Sequence, residues 1–271
     1  GVVVTLNHRL NILGYFDLSS FDEKYANSVN AGVTDLVAAL QWVHDNIAAF
    51  GGDPDNVPIF GQSGGGGKVY TMLQTPAADG LYHKAMIMSG SDNFHRESDP
   101  PHAPIAEEML KVLNISREEY EQLETVPYRI LMKAFIRACN NLQTGINWGP
   151  VANDYHMGHP CDVGFTEYAK KVPTVVGTVI AEFKAFAPGL PCTASEEEKT
   201  AAVREIYGAH SDEVIEAFQK AYPGKDLSVL AKLDYWVRPG AVEFMTVRAK
   251  SGPQAPGYNY QIGLGVAIND G

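Results

Sequence analysis

Cysteine is scarce in this chain of 271 residues, with three in all, Cys139, Cys161 and Cys192. So odd and sparse a set cannot build a disulfide framework, and it favours a reducing compartment. Basic side chains are in deficit too, 21 against 32 acidic ones, for a net charge of −11. A chain that acidic lacks the positive footprint that holds phosphate backbones, so nucleic acid is excluded as an expected partner. No apolar run approaches the roughly 20 residues of a membrane-crossing helix, and no membrane span is expected. Internal repeats and low-complexity linkers are also missing. What remains is an ordinary globular composition, 45% apolar and 20% charged, long enough to bury a large core. It says nothing of oligomeric state.

The apolar residues fall into a recognisable order. Residues 2–6 form a continuous β-branched run of the kind found in strands buried on both faces. The chain opens on that run, without Met or a targeting segment, and closes on Asn269-Asp270-Gly271 behind another apolar stretch. Both ends therefore read as cut within a domain. A polar loop to about Asn30 precedes helical spacing at positions 33, 36, 37, 40, 43, 47 and 50, stopped by Gly51-Gly52 and Pro54. Strands are expected over 57–60, 84–88, 172–177 and 258–262, with a helix through Tyr70 and Leu73. Alternating strands and helices predict an α/β fold with a mostly parallel central sheet and helices on both faces. Ser116 with Glu119, and Ser195 with Glu198, fit the capping box of a helix start. Pro127 suits the first turn of a helix carrying Ile130, Leu131, Ala134, Phe135 and Ala138. The stretches 103–140 and 194–250 thus read as helical insertions over the strand C-terminal edge, within one partial domain spanning 1–271.

Five glycines crowd into seven positions at Gly61-Gln62-Ser63-Gly64-Gly65-Gly66-Gly67. Within them lies G-x-S-x-G between an expected strand and an expected helix. That turn is too tight for larger neighbours; it projects the serine hydroxyl outward and aims the next N–H, that of Gly64, at a developing oxyanion. The bland alternative is a solvated serine in a glycine loop. A phosphate loop fails at two required positions, since Gln62 stands where the first glycine belongs and Val69 where Ser or Thr must follow Lys68.

Four motifs come in register: Asn7-His8-Arg9-Leu10, Trp42-Val43-His44-Asp45-Asn46-Ile47, Phe50-Gly51-Gly52-Asp53-Pro54 and Gly61-Gln62-Ser63-Gly64-Gly65. Together they resemble the type-B carboxylesterases, the α/β-hydrolase family that includes cholinesterases and bacterial carboxylesterases. The likeness is dense over 1–95 and patchier beyond, where Trp148-Gly149-Pro150-Val151 and Tyr258-Asn259-Tyr260 carry it. It implies an α/β-hydrolase fold and a small-molecule ester substrate. Ser63 becomes the nucleophile and Gly64 one oxyanion donor, with no metal or organic cofactor. It also implies a triad acid a few residues past a strand ending in glycine, which Gly177 and Glu182 match. Phe183 stands where the family usually has glycine; the alternative for Glu182 is a capping carboxylate.

The base is missing from that pattern. None of the eight histidines, His8, His44, His83, His95, His102, His156, His159 and His210, lies after Tyr260, where the family order Ser, Glu, His places it. The resemblance puts the triad histidine just beyond residue 271, and a glycine-rich oxyanion loop before residue 1. His8, Gln62 and Ser89 are candidate pocket-lining residues near the strands' C-terminal edge. His156, His159, Cys161 and Asp162 fit no standard zinc spacing and read as loop residues. Trp148 lines the pocket or the core. Two readings compete with the esterase: a non-catalytic interaction protein on the same fold, and an inactive fragment of the enzyme. An intact Ser63 and Glu182 favour the enzyme.

Overall fold

Four strands run parallel in the order β1-β2-β3-β4. In this computed structural model, which describes residues 1–90, 102–146, 148–182, 190, 193–234 and 236–263, they alternate with nine helices. The order is α1 (Asn11–Gly14), α2 (Ala31–Asn46), β1 (Pro58–Gln62), α3 (Gly64–Met72), β2 (Lys84–Met88), α4 (His102–Leu113), α5 (Tyr128–Leu142) and α6 (Pro160–Val163). It continues with β3 (Thr174–Val179), α7 (Glu196–Tyr207), α8 (Ser211–Ala221), α9 (Val237–Lys250) and β4 (Gly257–Ile262). Ser91, His95, Phe183, Cys192 and the closing residues 264–271 lie outside the described residues.

The period-2 alternation of the strands sorts their side chains onto two faces. Ala85 and Ile87 of β2 and Val176 of β3 are buried on one of them, beneath Leu73, Tyr82 and Phe244. Tyr70 of α3 stacks on Phe244 of α9 at 4.8 Å, so these two helices close over the same face. The register puts Phe60, Met86, Val175 and Tyr258 side by side on the opposite face. There Phe60 and Tyr258 are each 59% exposed. Helix α2 buries Val33, Leu36, Leu40 and Val43 at helical spacing. It gives way to a 3₁₀ turn that ends at Gly51, whose φ of 79° favours glycine.

Two further cores hold the helical stretches. Helices α4 and α5 pack Ile105, Met109 and Leu110 against Leu131, Phe135 and Ala138, over Phe16 from the first loop. Trp148 packs on Phe135 at 4.9 Å and joins this core to that of the sheet, so of its two roles the core one holds. The 194–250 stretch divides: α7 and α8 share a small core of Val203, Phe218, Leu227 and Leu230, whereas α9 belongs to the layer over β3 and β4.

Two local expectations fail for physical reasons. Residues 2–6 form no strand, and Val3 is 74% exposed. A β-branched run favours extended backbone, but a strand exists only by pairing, and no described strand lies beside this one. The segment is tied down at Arg9, whose guanidinium grips Asp35 of α2 through Nε at 2.9 Å and Nη2 at 2.7 Å. Ser116 donates its hydroxyl to the Glu119 carboxylate at 3.0 Å rather than capping backbone, and residues 117–124 wind as a 3₁₀ helix. By contrast the helix expected after Pro127 forms as α5 and carries Ile130 in its first turn, half exposed beside the buried stripe. Ser195 and Glu198 close a complete capping box at α7.

Buried polar groups tie the loops to the layers. The fully buried Asn30 donates to Val151 O at 2.8 Å and Asn153 Oδ1 at 3.0 Å, and accepts the Val151 N–H at 3.0 Å. Arg248, also buried, donates to the carbonyls of Ala169 and Val172 at 2.9 and 2.7 Å. The buried Lys199 donates to Asp226 at 2.6 Å and to Glu196 at 2.8 Å. Burial alone would push the Asp226 carboxyl up. Hydrogen bonds from Lys199 and Ser228 outweigh it and bring the pKa from the usual 3.8 to about 2. A carboxyl with a lowered native pKa stabilises the fold above its unfolded pKa, and that contribution is lost as the pH falls through the native one. Acid melts between pH 5 and pH 2 should therefore show stability falling through this window, and a flatter dependence for Asp226→Asn. Equal slopes for the two proteins would refute the assignment.

Candidate active site

The site is built where the strands end. At the C-terminal edge of the sheet, three hydrogen bonds carry the pairing beyond the strands themselves. Ser63 N–H donates to Met88 O at 2.9 Å, Ser89 N–H to Gly177 O at 2.7 Å, and Ile180 N–H to Ile262 O at 2.9 Å. Each rung fixes a residue that leaves the sheet toward the same edge, where ligands of parallel α/β sheets bind.

Ser63 joins β1 directly to α3 with φ 53° and ψ −124°. For a residue with a Cβ that backbone is strained, and it persists because its surroundings force it. Gly61 is one cause: a Cβ there would lie 2.3 Å from the Gly65 carbonyl. Gly66 is the other, since its own Cβ would meet Gly90 Cα at 2.8 Å, and one on Gly90 would meet Gly66 Cα at 2.4 Å. The flanking glycines therefore have unequal roles. Gly65 would accept a Cβ in open space, whereas Gly66 and Gly90, whose contact sequence reasoning did not foresee, are where two backbones cross. The signal for Gly90 is its position two residues past a strand, matching that of Gly64 after β1.

The turn leaves Ser63 exposed. Gly64 opens α3, and the first N–H groups of a helix have no intrahelical acceptor. Its N–H is thus placed next to the serine at the positive end of a helix dipole. Gln62, the last residue of β1, is exposed and pairs with Met88. Ser89, half-buried with φ 49°, repeats the left-handed turn of Ser63 one strand over.

Glu182 sits past β3 and accepts the Val179 N–H at 2.8 Å through Oε1. Its second oxygen has no hydrogen-bond partner among the described residues. β3 lies two strand spacings from β1, about 10 Å. That gap suits an imidazole hydrogen-bonded at both ends. Asp234 braces the turn before Glu182: its N–H donates to Ile180 O at 3.2 Å, and its buried carboxylate caps α9 through the N–H groups of Trp236, Val237 and Arg238. Sequence reasoning missed Asp234, although an Asp three residues before a helical run is a legible cap.

None of the described histidines shares a hydrogen bond with Ser63 or Glu182. His8 Nδ1 donates to the Arg9 carbonyl at 2.9 Å and lies in the field of Asp35, with no hydrogen bond to Ser63 or Ser89. His44 pairs with Asp45, and His83 accepts the Val57 N–H near the opposite end of the strands. His102 accepts the Asp17 N–H and stacks on Phe16; His156 faces Thr75; His210 lies 3.5 Å from Glu213. His159 accepts the Cys161 N–H on Nδ1 and meets the Tyr70 hydroxyl at Nε2, 2.7 Å away. Both its nitrogens are used, one by the local backbone and the other by Tyr70 of α3.

A family model described as the carboxylesterase family matches residues 2–233. The chain belongs to the carboxylesterase family. It is 44% identical over 133 residues to the para-nitrobenzyl esterase of Bacillus subtilis, covering 49% of this chain and 26% of that protein. To rabbit (Oryctolagus cuniculus) liver carboxylesterase 1 it is 51% identical over 89 residues, 33% of this chain and 15% of that protein. Among solved structures, an esterase from anaerobic Clostridium hathewayi, described as able to hydrolyze aliphatic aromatic polyesters, superposes with a TM-score of 0.86. The two are 46% identical, over 95% of this chain and 52% of the other. A para-nitrobenzyl esterase structure matches with a TM-score of 0.63 at 30% identity, over 97% and 55%. The chain thus has the α/β-hydrolase fold of carboxylesterases, and spans about half the length of these solved structures.

Proposed function

We propose that this carboxylesterase-family chain carries the nucleophile, the acid and one oxyanion donor of a serine esterase. The observation that carries the reading is the Ser63 elbow, strained, exposed and laddered to the strand beside it, with a half-free carboxylate two strands away. In the reaction, Ser63 Oγ forms a bond to the ester carbonyl carbon while its proton passes to an imidazole. The carbonyl oxygen becomes an oxyanion that accepts the Gly64 N–H. Collapse of this intermediate breaks the bond to the alcohol, which takes the proton and leaves. Water then attacks the acyl-serine by the same route and releases the acid. Glu182 orients the imidazole and stabilises its charged form. We place that imidazole, and the remaining oxyanion donors, outside these 271 residues. The chemistry requires no metal or organic cofactor.

Substrates are small carboxylic esters, and small esters of the acids and alcohols found in aliphatic aromatic polyesters, which the Clostridium relative is described as able to hydrolyze, are a rational first set. The test is the intact mass of the full-length protein before and after a fluorophosphonate probe. A stoichiometric adduct mapping to Ser63 supports the reading. A folded protein that takes up no probe would overturn it and favour a non-catalytic interaction protein.

A further inference from the structure

Helix α3 carries a positive charge where helix electrostatics disfavour one. Lys68 stands one turn inside its N-terminus, and helical side chains lean back toward that end. Its ammonium accordingly lies over Gly64, so that a Cβ on Gly64 would sit 3.7 Å from Lys68 Nζ. The orphan N–H groups and the macrodipole already make this end positive, a place for carboxylates rather than for lysine. Lys68 is half-buried and has no hydrogen bond or ion pair among the described residues. Burial pulls its pKa below the ordinary lysine value, the mark of a charge short of both water and a partner.

Two enclosed cations among the described residues are matched: Lys199 has Asp226 and Glu196, and Arg248 has two carbonyls. Carboxylates are not in short supply, with 32 acidic residues against 21 basic ones. Among the described residues none of them pairs with Lys68 beside the elbow. Gly64 places no side chain between the ammonium and the backbone that follows Ser63; a Cβ there would be in ordinary van der Waals contact with Nζ, at 3.7 Å.

We propose that Lys68 is a specificity residue that favours esters bearing a carboxylate, such as half-esters of dicarboxylic acids, over neutral ones. The inference rests on Ser63 being the nucleophile. The substrate carboxylate supplies the counter-ion that no described residue provides. A charge-assisted contact of this kind gains strength in a partly desolvated site.

The experiment compares kcat/KM within two matched pairs on the full-length protein. One pair carries its charge on the acyl side, monomethyl adipate against methyl adipamate. The other carries it on the alcohol side, 4-carboxyphenyl acetate against 4-carbamoylphenyl acetate. The carboxylate member should be preferred by about tenfold in at least one pair, and the preference should shrink as salt is added. Lys68→Met should bring that ratio to near unity, and Lys68→Arg, which keeps the charge, should retain most of it. A ratio that Lys68→Met leaves unmoved in both pairs overturns the proposal. So does an equal loss on both members, which would make Lys68 a general support of the oxyanion or of the fold. Fluorophosphonate labelling of Ser63 in each variant separates the two levels. A labelled serine with an unmoved ratio sinks Lys68 alone, whereas an unlabelled wild-type serine sinks the esterase reading and this proposal with it.

Discussion

Ester hydrolysis by the full-length protein should fall by about 10⁴- to 10⁶-fold in Ser63→Ala, with the far-ultraviolet circular dichroism spectrum unchanged. The hydroxyl is exposed, so its loss leaves no cavity and no buried partner unpaired. The backbone strain at φ 53° remains, and alanine carries it much as serine does. Glu182→Gln should cost about 10³- to 10⁴-fold, because an amide can neither fix the imidazole tautomer nor balance its charge. The decisive measurement is the double variant. Residues that act as one catalytic unit are grossly non-additive, so Ser63→Ala with Glu182→Gln should be no slower than Ser63→Ala alone. Losses that multiply would show that Glu182 acts elsewhere, for instance as a brace for the Val179 turn.

The second large effect is expected from a residue that touches no substrate. Gly90→Ala puts a methyl group 2.4 Å from Gly66 Cα, a backbone that cannot move aside as a side chain would. Either α3 is pushed off the end of β2 or the loop after β2 is pushed off α3. Overpacking of this kind costs about 1–3 kcal/mol in stability. The catalytic loss should be larger, since a shift of about 1 Å at a nucleophile costs about 10²-fold in rate. Thermal melts and kcat on one preparation test the claim. The proposed role of Gly90 fails if Gly90→Ala keeps both stability and rate. Gly65→Ala, whose added methyl group meets open space, serves as the control for helix propensity alone.

The parts of the molecule that were legible in its sequence are those governed by local rules. β2 begins and ends at the residues that its apolar run marks, α2 follows its helical stripe, and the box at Ser195 closes as its spacing demands. The serine turn was legible because G-x-S-x-G is itself a backbone constraint. What was not legible depends on partners far away in the chain. The run at 2–6 has every propensity of a strand and lacks only a neighbour to pair with. The Gly66–Gly90 crossing joins a helix start to a strand end, and no one-dimensional pattern marks such a pair. Lys68 was visible only as a failed phosphate loop. Its isolation is a property of what surrounds it, which spacing does not record.

The rungs at the strand ends also bear on synthesis. Ser63 finds its acceptor once Met88 has been made, but the next rung needs Gly177, and the one after it needs Ile262. A nascent chain that has just emitted its serine elbow therefore holds Ser63 on a half-built edge, with the Glu182 turn still unanchored. The laddered edge is complete only once Ile262 has left the ribosome. A truncated translation product carries the motif without the device.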